Sequence, residues 1–336
     1  ERQSIVIGAS VGIARFPDDA TEGDEVLRKA ESALLRAKAQ GRGGVCFYDS
    51  NLDEQVAERA LLEQTMREGI AAGQFVPYYQ PIVELSDGAV QSLELLCRWN
   101  HPQRGLVPPM NFIPLAEDTG LIGPMTLSVL RQACADLARF PAHWRLSINV
   151  APQQIQDSAL VPQLLAVLAE FGVPPARLDV ELTETALVSD TARAREVMQS
   201  MKDAGITVTL DDFGTGYSSL GYLKRLPINR IKLDKSFVQD VPGNAEDEAV
   251  ARATLSMTKD LGLECVAEGV ETRAQQDYLI ANRCAFLQGY RYARPMPADE
   301  CLAWLRHFEA AEGMGDPVAD AGFTAAATTP TGATPA

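Results

Sequence analysis

The chain has 336 residues, of which 46% are hydrophobic, and its formal net charge is −15. This length and hydrophobic content are enough for one large domain and one small domain, each with its own core. The negative charge excludes a protein that holds DNA or RNA through basic patches alone. If the chain acts on a phosphate ester, divalent cations must offset its acidic residues locally.

The cysteines and histidines do not form a recognisable site. The six cysteines and three histidines are scattered, without the spacing of a disulfide framework or a zinc site. Neither a signal-peptide pattern nor an apolar run long enough to span a membrane occurs in the sequence. We therefore expect reduced cysteines and a cytoplasmic location, with any membrane anchor upstream of residue 1.

The first fifty residues have the pattern of an incomplete α/β domain. Two or three strands and one helix do not make a whole domain of this class, so we expect its beginning to lie outside the chain. The predicted helix has Asp24 as its N-cap and Gly41 at its end. The segments are a strand or strand pair at 5–16, the helix at 24–39 and a strand at 43–48.

A predicted linker helix at 51–73 leads into a long alternation of strands and helices. The tight turn at Ser86-Asp87-Gly88 predicts that the first two strands form an antiparallel hairpin. The later strands alternate with helices, which favours parallel pairing. Strands lie at 75–85, 89–99, 145–150, 177–182, 206–210, 229–233, 263–267 and 284–288, and helices at 124–139, 158–171, 190–204, 245–261 and 272–281.

This alternation predicts a closed barrel in which the hairpin reverses one strand. About eight strands in about 240 residues suit such a barrel. An open doubly wound sheet is the alternative, but the GxGxxG motif that often accompanies it is missing from the sequence.

Polar residues stand at or near the carboxyl ends of several predicted strands. In a barrel these ends converge on one mouth. Carboxylates gathered there repel one another, and divalent cations remove that penalty. Oxygen ligands without histidine or cysteine suit Mg²⁺ or Mn²⁺ better than zinc. Any one of these polar residues could be a helix cap or a solvated loop residue, but their repetition favours a metal site. The polar residues at or near the strand ends are Glu94, Asn149, Glu181, Asp211, Asp212, Lys232 and Glu268.

A series of motifs over residues 60–308 resembles the EAL-domain family. The motifs are QPIV (80–83), ELLCRW (94–99), NFIPLAEDTGLI (111–122), SINV (147–150), ELTET (181–185), DDFGTGYSSL (211–220), IKLDKSF (231–237), AEGVET (267–272) and QGY (288–290). The resemblance implies a modified (β/α)8 TIM barrel with one antiparallel strand. It also implies hydrolysis of the cyclic dinucleotide c-di-GMP to linear pGpG, dependent on two Mg²⁺ or Mn²⁺ ions. We expect Ca²⁺ to bind and inhibit, because it accepts the same oxygens with looser geometry.

The resemblance also implies a role for each matching residue. Metal ligands would be Glu94, Asn149, Glu181 and Asp211 for one ion, and Asp211, Asp212 and Glu268 for the other. Lys232 would lie near the attacking water, and Glu268 would be a metal ligand, a proton acceptor or both. Substrate contacts would be Gln80, Leu96, Arg98 and Gln288. Supporting residues would be Glu184, Glu271 and the loop from Phe213 to Ser219, which also shapes a homodimer.

Two positions depart from the family pattern. Leu95 replaces the alanine of the family name, and Cys97 stands where leucine is common. Leu95 supplies no ligand oxygen and points away from Glu94 on a strand. Neither departure removes a ligand, so we expect an enzyme.

The start of the chain resembles the end of a GGDEF domain, through residues 10–20, 30–43 and 45–49. Glu31 and Leu35 depart from that pattern, and the GGDEF loop itself would precede residue 1. We therefore expect a GGDEF-like fragment at 1–50, a linker helix at 51–73, an EAL domain at 74–312 and a disordered tail at 313–336. A sensor or the rest of the GGDEF region would lie upstream.

Two other functions remain open at this point. One is a c-di-GMP receptor that has kept the fold and lost catalysis, although such proteins typically lack several metal ligands. The other is a different metal-dependent barrel enzyme, such as one of the enolase type, which the DDFGTG and AEGVE loops disfavour.

Overall fold

A computed structural model describes residues 9–39, 43–85, 88–187, 191–214, 223 and 225–312. The chain divides into two compact units, Glu1–Glu68 and Gly69–Ala336. The predicted tail at 313–336, two residues of the predicted hairpin turn and most of the loop after Gly214 lie outside the described residues. Within the described ranges, no helix combines the length and apolar character needed to cross a membrane.

The described part of the first unit contains two short strands, one complete helix and most of a second helix. Strand β1 (Val11–Ile13) pairs in parallel with β2 (Val45–Phe47), and helix α1 (Gly23–Ala39) packs against both. β1 is the only described strand within the predicted segment 5–16, whose first four residues lie outside the described ranges.

Two helices of this region have boundaries that differ from the predicted ones. The predicted N-cap of α1 was wrong, because the helix begins at Gly23 and Asp24 lies in its first turn, where a carboxylate favours the helix dipole. The predicted linker corresponds to α2 (Ser50–Ala71), and the boundary between the two units falls inside this helix.

The second unit is a closed barrel. Its strands are β3 (Phe75–Glu84), β4 (Val90–His101), β5 (Gly105–Val107), β6 (Arg145–Val150), β7 (Leu178–Thr183), β8 (Thr207–Phe213), β9 (Arg230–Leu233), β10 (Glu264–Ala267) and β11 (Phe286–Gln288). In the described part of the chain, eight of them close in the order β3-β11-β10-β9-β8-β7-β6-β4, and β4 pairs back with β3. β3 is antiparallel to both of its neighbours, and the other adjacent barrel strands are parallel. The barrel and its one reversed strand confirm the predicted fold.

Helices surround the barrel, and those at 122–137, 160–170, 191–203, 245–260 and 273–281 lie at the predicted positions. They are α3 (Ile113–Asp118), α4 (Ile122–Leu137), α5 (Leu160–Glu170), α6 (Thr191–Asp203), α7 (Ala245–Asp260), α8 (Arg273–Ala281) and α9 (Ala298–Glu312). The sequence pattern did not predict β5, which pairs antiparallel with the end of β4. It also did not predict the short helix α3. Elements of three and six residues are too short to display a period.

The two faces of the barrel strands differ in chemistry. One face of β6 to β9 is apolar and buried, as at Leu146, Val180, Leu210 and Ile231. On the alternate positions the residues are polar and contact one another from strand to strand, which places them inside the barrel. Because the side chains alternate, these polar positions form one layer near the start of the strands and another at their carboxyl ends.

The lower polar layer is an ion-pair network. Asp179 on β7 is fully buried and bonds to Arg145 on β6 and, at 3.1 Å, to Arg230 on β9. Arg230 also bonds to Glu264 on β10 at 2.8 Å and lies over the ring of Phe286. This layer lies at the bottom of the barrel, on the side of the upper polar layer that faces away from the mouth.

Candidate active site

Lys232 lies at the centre of the upper polar layer. It stands on β9 and is 1% exposed. Its Nζ is 2.8 Å from Glu181 Oε2, 2.5 Å from Glu268 Oε1, 3.5 Å from Glu94 Oε2 and 3.7 Å from Asp211 Oδ1. Residues on β4, β7 and β8 and the residue that follows β10 therefore bring four carboxylates around one ammonium group. We call this group the lysine cluster.

Neighbouring strands hold the glutamates of the lysine cluster in place. Glu94 accepts hydrogen bonds from Asn149 Nδ2, at 2.9 Å, and from the Gln288 amide. Glu181 accepts a hydrogen bond from the Ser147 hydroxyl. Sequence reasoning missed Ser147, which lies two residues before Asn149 on the same face of β6. Its polar residue type was the one signal in the sequence that could have identified it.

The consecutive aspartates reach the site through a local irregularity at the end of β8. Adjacent strand residues normally point to opposite faces. Here the register with β9 shifts between Leu210 and Phe213, and Asp212 adopts a positive φ of 53°. The Asp212 backbone N–H donates to Asp211 Oδ1 at 2.9 Å. The irregularity turns both carboxylates toward the same space.

Asp211, Asp212 and Glu268 form a group that could hold a metal ion. One carboxylate oxygen from each lies within 4.8 Å of the others. Glu268 follows β10 and precedes Gly269, whose φ of 67° belongs to the left-handed region that glycine tolerates. These are the three residues that the resemblance assigned to the second ion.

Burial and mutual repulsion dominate the electrostatics of the lysine cluster. Burial raises the pKa of the Glu268 carboxyl to about 8, although the Lys232 ammonium opposes the rise. Burial likewise raises the pKa of Glu181 and of Asp211, again against the pull of Lys232. The pKa of Glu94 is lowered instead, because Lys232 and the hydrogen bonds from two amides outweigh its burial.

Lys232 itself is held firmly as a cation. Burial would lower its pKa, but the surrounding carboxylates outweigh burial and raise the pKa well above the ordinary value of a lysine. A permanently charged ammonium cannot accept a proton, so this group can supply positive charge but cannot act as a general base.

The charge of the site fits divalent cations. One ammonium cannot balance four carboxylates, and Asp212 adds a fifth acidic group beside them. The donors are oxygen atoms of carboxylates and of the Asn149 amide, which are the ligands that Mg²⁺ and Mn²⁺ prefer. The residues present therefore fit the cations that the sequence predicted.

Two of the four predicted substrate contacts are connected to this centre by hydrogen bonds. Gln288 on β11 donates to Gln80 Oε1 at 3.2 Å, and Gln80 donates to the Ala293 carbonyl at 3.0 Å. Leu96 and Arg98 are half-buried on β4, with the Arg98 guanidinium 5.6 Å from the centre of the Tyr78 ring. Gln288 is thus joined directly to Glu94 of the lysine cluster, and Gln80 is joined to it through Gln288.

The supporting residues are placed less centrally. Glu184 is buried at the end of β7, and in the described part of the chain its Oε2 has no hydrogen-bond partner. Glu271 is exposed before α8, where its backbone N–H donates to Gln275. It is not one of the carboxylates around Lys232, and its role stays a prediction. Of the loop from Phe213 to Ser219, only the first two residues are described.

Comparisons with known proteins agree with this geometry. The family described as EAL domain matches residues 63–295. The chain is 37% identical over 310 residues to the cyclic di-GMP phosphodiesterase NbdA of Pseudomonas aeruginosa, covering 91% of this chain and 40% of that protein. It is 36% identical over 311 residues to the cyclic di-GMP phosphodiesterase PdeR of Escherichia coli, covering 90% of this chain and 46% of that protein. The chain thus spans less than half the length of these two relatives.

A solved structure shares the fold of the second unit. The chain is similar to PaMucR phosphodiesterase in complex with c-di-GMP, with 37% sequence identity and a TM-score of 0.68, over 72% of this chain and 99% of that one. The range that matches the EAL-domain family, residues 63–295, contains every residue of the lysine cluster. The predicted GGDEF-like fragment stays a prediction. The chain belongs to the EAL-domain family.

Proposed function

We propose that this chain hydrolyses c-di-GMP to linear 5′-pGpG in a reaction that requires divalent cations. The observation that carries the proposal is the lysine cluster, in which four carboxylates from four different strands or strand ends surround one buried ammonium. Two relatives that are named cyclic di-GMP phosphodiesterases support the choice of substrate.

The proposed ions are Mg²⁺ or Mn²⁺, two per site. When bound, such ions supply positive charge to a phosphodiester and make a water molecule more acidic. Glu94, Asn149, Glu181 and Asp211 would hold one ion, and Asp211, Asp212 and Glu268 the other. Ca²⁺ is expected to bind and inhibit, because it accepts the same oxygens at longer distances and with looser geometry.

The residues of the chain would orient and stabilise the reacting phosphate. The fixed charge of Lys232 would stabilise the negative charge that develops on the phosphate oxygens. Gln80, Arg98 and Gln288 would bind and orient the substrate. Glu268 would be a metal ligand, a proton acceptor or both, because its carboxylate lies both beside Lys232 and beside the two aspartates.

We further propose the arrangement of the whole chain. Residues 74–312 would be the catalytic domain, which would form a homodimer, and residues 1–50 would be the end of a GGDEF-like domain linked through residues 51–73. A sensor region upstream would control the activity in a longer protein.

A hydrolysis assay tests the proposal. The purified chain is incubated with c-di-GMP in the presence of a chelator, Mg²⁺, Mn²⁺ or Ca²⁺, and the nucleotides are separated by chromatography. We expect cleavage with Mg²⁺ or Mn²⁺ only, and loss of cleavage when Ca²⁺ is added to Mg²⁺. A chain that binds c-di-GMP and does not cleave it with any of these ions would be a receptor, and the proposal would be wrong.

A further inference from the structure

Three successive inward-facing residues of β6 each donate a hydrogen bond to a carboxylate on another strand. Residues two apart on a strand share a face, so the three donors form one row from the bottom of the barrel to its mouth. The three pairs, in that order, are Arg145 to Asp179, Ser147 to Glu181 and Asn149 to Glu94. The first pair belongs to the ion-pair network, and the other two reach the lysine cluster.

The middle donor approaches its carboxylate from below. In the register between β6 and β7, Asn149 pairs with Glu181, whereas Ser147 pairs with Asp179. Ser147 therefore lies one level closer to the bottom of the barrel than Glu181, and its side chain is 1% exposed. This hydroxyl is placed between the two polar layers.

Both oxygens of the Glu181 carboxylate have a donor. The Ser147 hydroxyl donates to Oε1, and the Lys232 Nζ is 2.8 Å from Oε2. Each carboxylate oxygen has two lone pairs, so Glu181 can keep both bonds and still bind an ion at the mouth. Two donors on different oxygens fix the plane of the carboxylate as well as its position.

Ser147 differs from the donors that hold Glu94. Those donors are the amides of Asn149 and Gln288, which the proposed function assigns to the ion and to the substrate. Ser147 has neither assignment. Because it is buried beneath Glu181, it can act on an ion only through that carboxylate.

A fixed carboxylate binds an ion more tightly than one that must be ordered first. Hydrogen-bonding partners behind a ligand hold it in the binding orientation, and removing them weakens ion binding. Without the Ser147 hydroxyl, Glu181 Oε1 would lose a donor in a buried site, and the carboxylate would turn toward other donors.

We propose that Ser147 is a positioning residue, which holds Glu181 in the orientation that binds a divalent cation. This inference rests on the proposed function, because it takes the lysine cluster as the site of the ion. It concerns the affinity for the ion, so it can be tested without c-di-GMP and without catalysis.

The test is the affinity of Ser147→Ala for Mn²⁺ in the absence of nucleotide. The purified chain is titrated with Mn²⁺, and the free ion is measured by its electron paramagnetic resonance signal. We expect the dissociation constant to rise about 10- to 100-fold over that of the wild type, because Glu181 loses the partner that orients it.

Ser92→Ala is the matched control. Ser92 is also 1% exposed, and it lies two residues before Glu94 on β4, as Ser147 lies two residues before Asn149 on β6. Among the described residues, its hydroxyl has no hydrogen-bond partner. The control thus removes the same atom from the same barrel interior without taking a donor from a carboxylate, and it should bind Mn²⁺ as the wild type does.

Three results would overturn the inference. They are wild-type affinity for Mn²⁺ in Ser147→Ala, an equal loss of affinity in Ser92→Ala, and a wild-type chain that does not bind Mn²⁺. Circular dichroism and the melting temperature in a chelator check that both variants are folded before the titration.

Failure of the proposed function would look different. A chain whose Mn²⁺ affinity depends on Ser147, but which does not cleave c-di-GMP with Mn²⁺, would retain the inference and lose the proposed hydrolysis. A chain that cleaves c-di-GMP, and whose Ser147→Ala variant binds Mn²⁺ as tightly as the wild type, would retain the hydrolysis and lose the inference.

Discussion

At the scale of single residues, the site is defined by an imbalance of charge. Lys232 has the four carboxylates of the lysine cluster within 3.7 Å. Burying several carboxylates together is unfavourable unless cations compensate for them. An arrangement that lowers stability is typical of a functional site.

Glu94→Gln tests the role of a single carboxylate. The substitution keeps the shape of the side chain but removes a charged oxygen ligand, so we expect hydrolysis of c-di-GMP to fall at least about 100-fold. Glu170→Gln on the exposed surface of α5 is the control and should hydrolyse at the wild-type rate. Wild-type activity in Glu94→Gln would contradict the assignment of Glu94 as a ligand.

Asp211→Asn tests whether repulsion within the lysine cluster costs stability. In a chelator, we expect the melting temperature of this variant to rise, because one of the mutually repelling buried carboxylates is removed. For the wild type, Mg²⁺ at about 100 times its dissociation constant should add about 2.7 kcal/mol and raise the melting temperature by several degrees. An equal Mg²⁺ shift in Asp211→Asn would show that the ion binds elsewhere.

Sequence reasoning identified single site residues where residue type and strand position coincide. Glu94, Glu181 and Lys232 were predicted in this way, and the barrel brings them together. Ser147 was missed, because a serine in a strand is unremarkable until its partner on the next strand is known. The partners of a side chain depend on the register between strands, and register is not encoded by spacing within one strand.

At the scale of elements, short irregular segments at the strand ends position the chemistry. The irregular end of β8 turns the Asp212 carboxylate toward the site. In a second irregular region, the segment after β11 is hydrogen-bonded to the loop after β10. Val270 N–H donates to the Gln288 carbonyl at 3.0 Å, and Arg291 N–H donates to the Val270 carbonyl at 2.9 Å. Gly289 allows this approach, because a Cβ there would overlap the Val270 backbone.

Gly289→Ala should disturb this contact. We expect a loss of about 1–3 kcal/mol in the free energy of unfolding, because backbone atoms must move to admit the methyl group, and a loss of activity as Gln288 shifts. Gly123→Ala in α4 is the control, since no atom lies within 4 Å of the added methyl group and alanine favours the helix. Equal stability of the two variants in urea unfolding would contradict this account of Gly289.

The ion-pair network at the bottom of the barrel is a second element-level feature. Asp179→Ala leaves Arg230 buried without one of its partners, so we expect a loss of about 3–5 kcal/mol in the free energy of unfolding. Asp277→Ala, which removes an exposed ion pair with Arg273, should leave the melting temperature nearly unchanged. A small effect of Asp179→Ala would indicate that the network contributes little to folding.

Regular elements were predicted from the sequence more completely than irregular ones. The barrel strands and the main helices follow periods that extend over several residues. β5 and α3 are too short to show a period. The turn at Asp212 was also beyond prediction, because its positive φ occurs at a residue other than glycine.

At the scale of the whole molecule, the barrel separates stability from function along its axis. The apolar faces of the strands pack beneath the helices, the lower polar layer is neutralised by arginines, and the upper layer keeps unbalanced carboxylates at the mouth. Stability and the proposed cleavage of a phosphodiester would thus depend on different layers of one barrel.

One set of metal ligands can engage one phosphodiester at a time. The cyclic substrate is rigid and presents its phosphate preorganised, whereas linear pGpG must be ordered again and carries an additional terminal phosphate. The acidic mouth should disfavour that added negative charge. We therefore expect hydrolysis to stop, or to slow greatly, after the first cleavage.

The most direct test is the time course of products from c-di-GMP with Mg²⁺ in excess, followed by chromatography. The account predicts that pGpG accumulates as c-di-GMP disappears, that little GMP forms, and that a chelator stops the reaction. It would be contradicted if c-di-GMP persisted unchanged, or if GMP appeared at the rate at which c-di-GMP disappeared without any accumulation of pGpG.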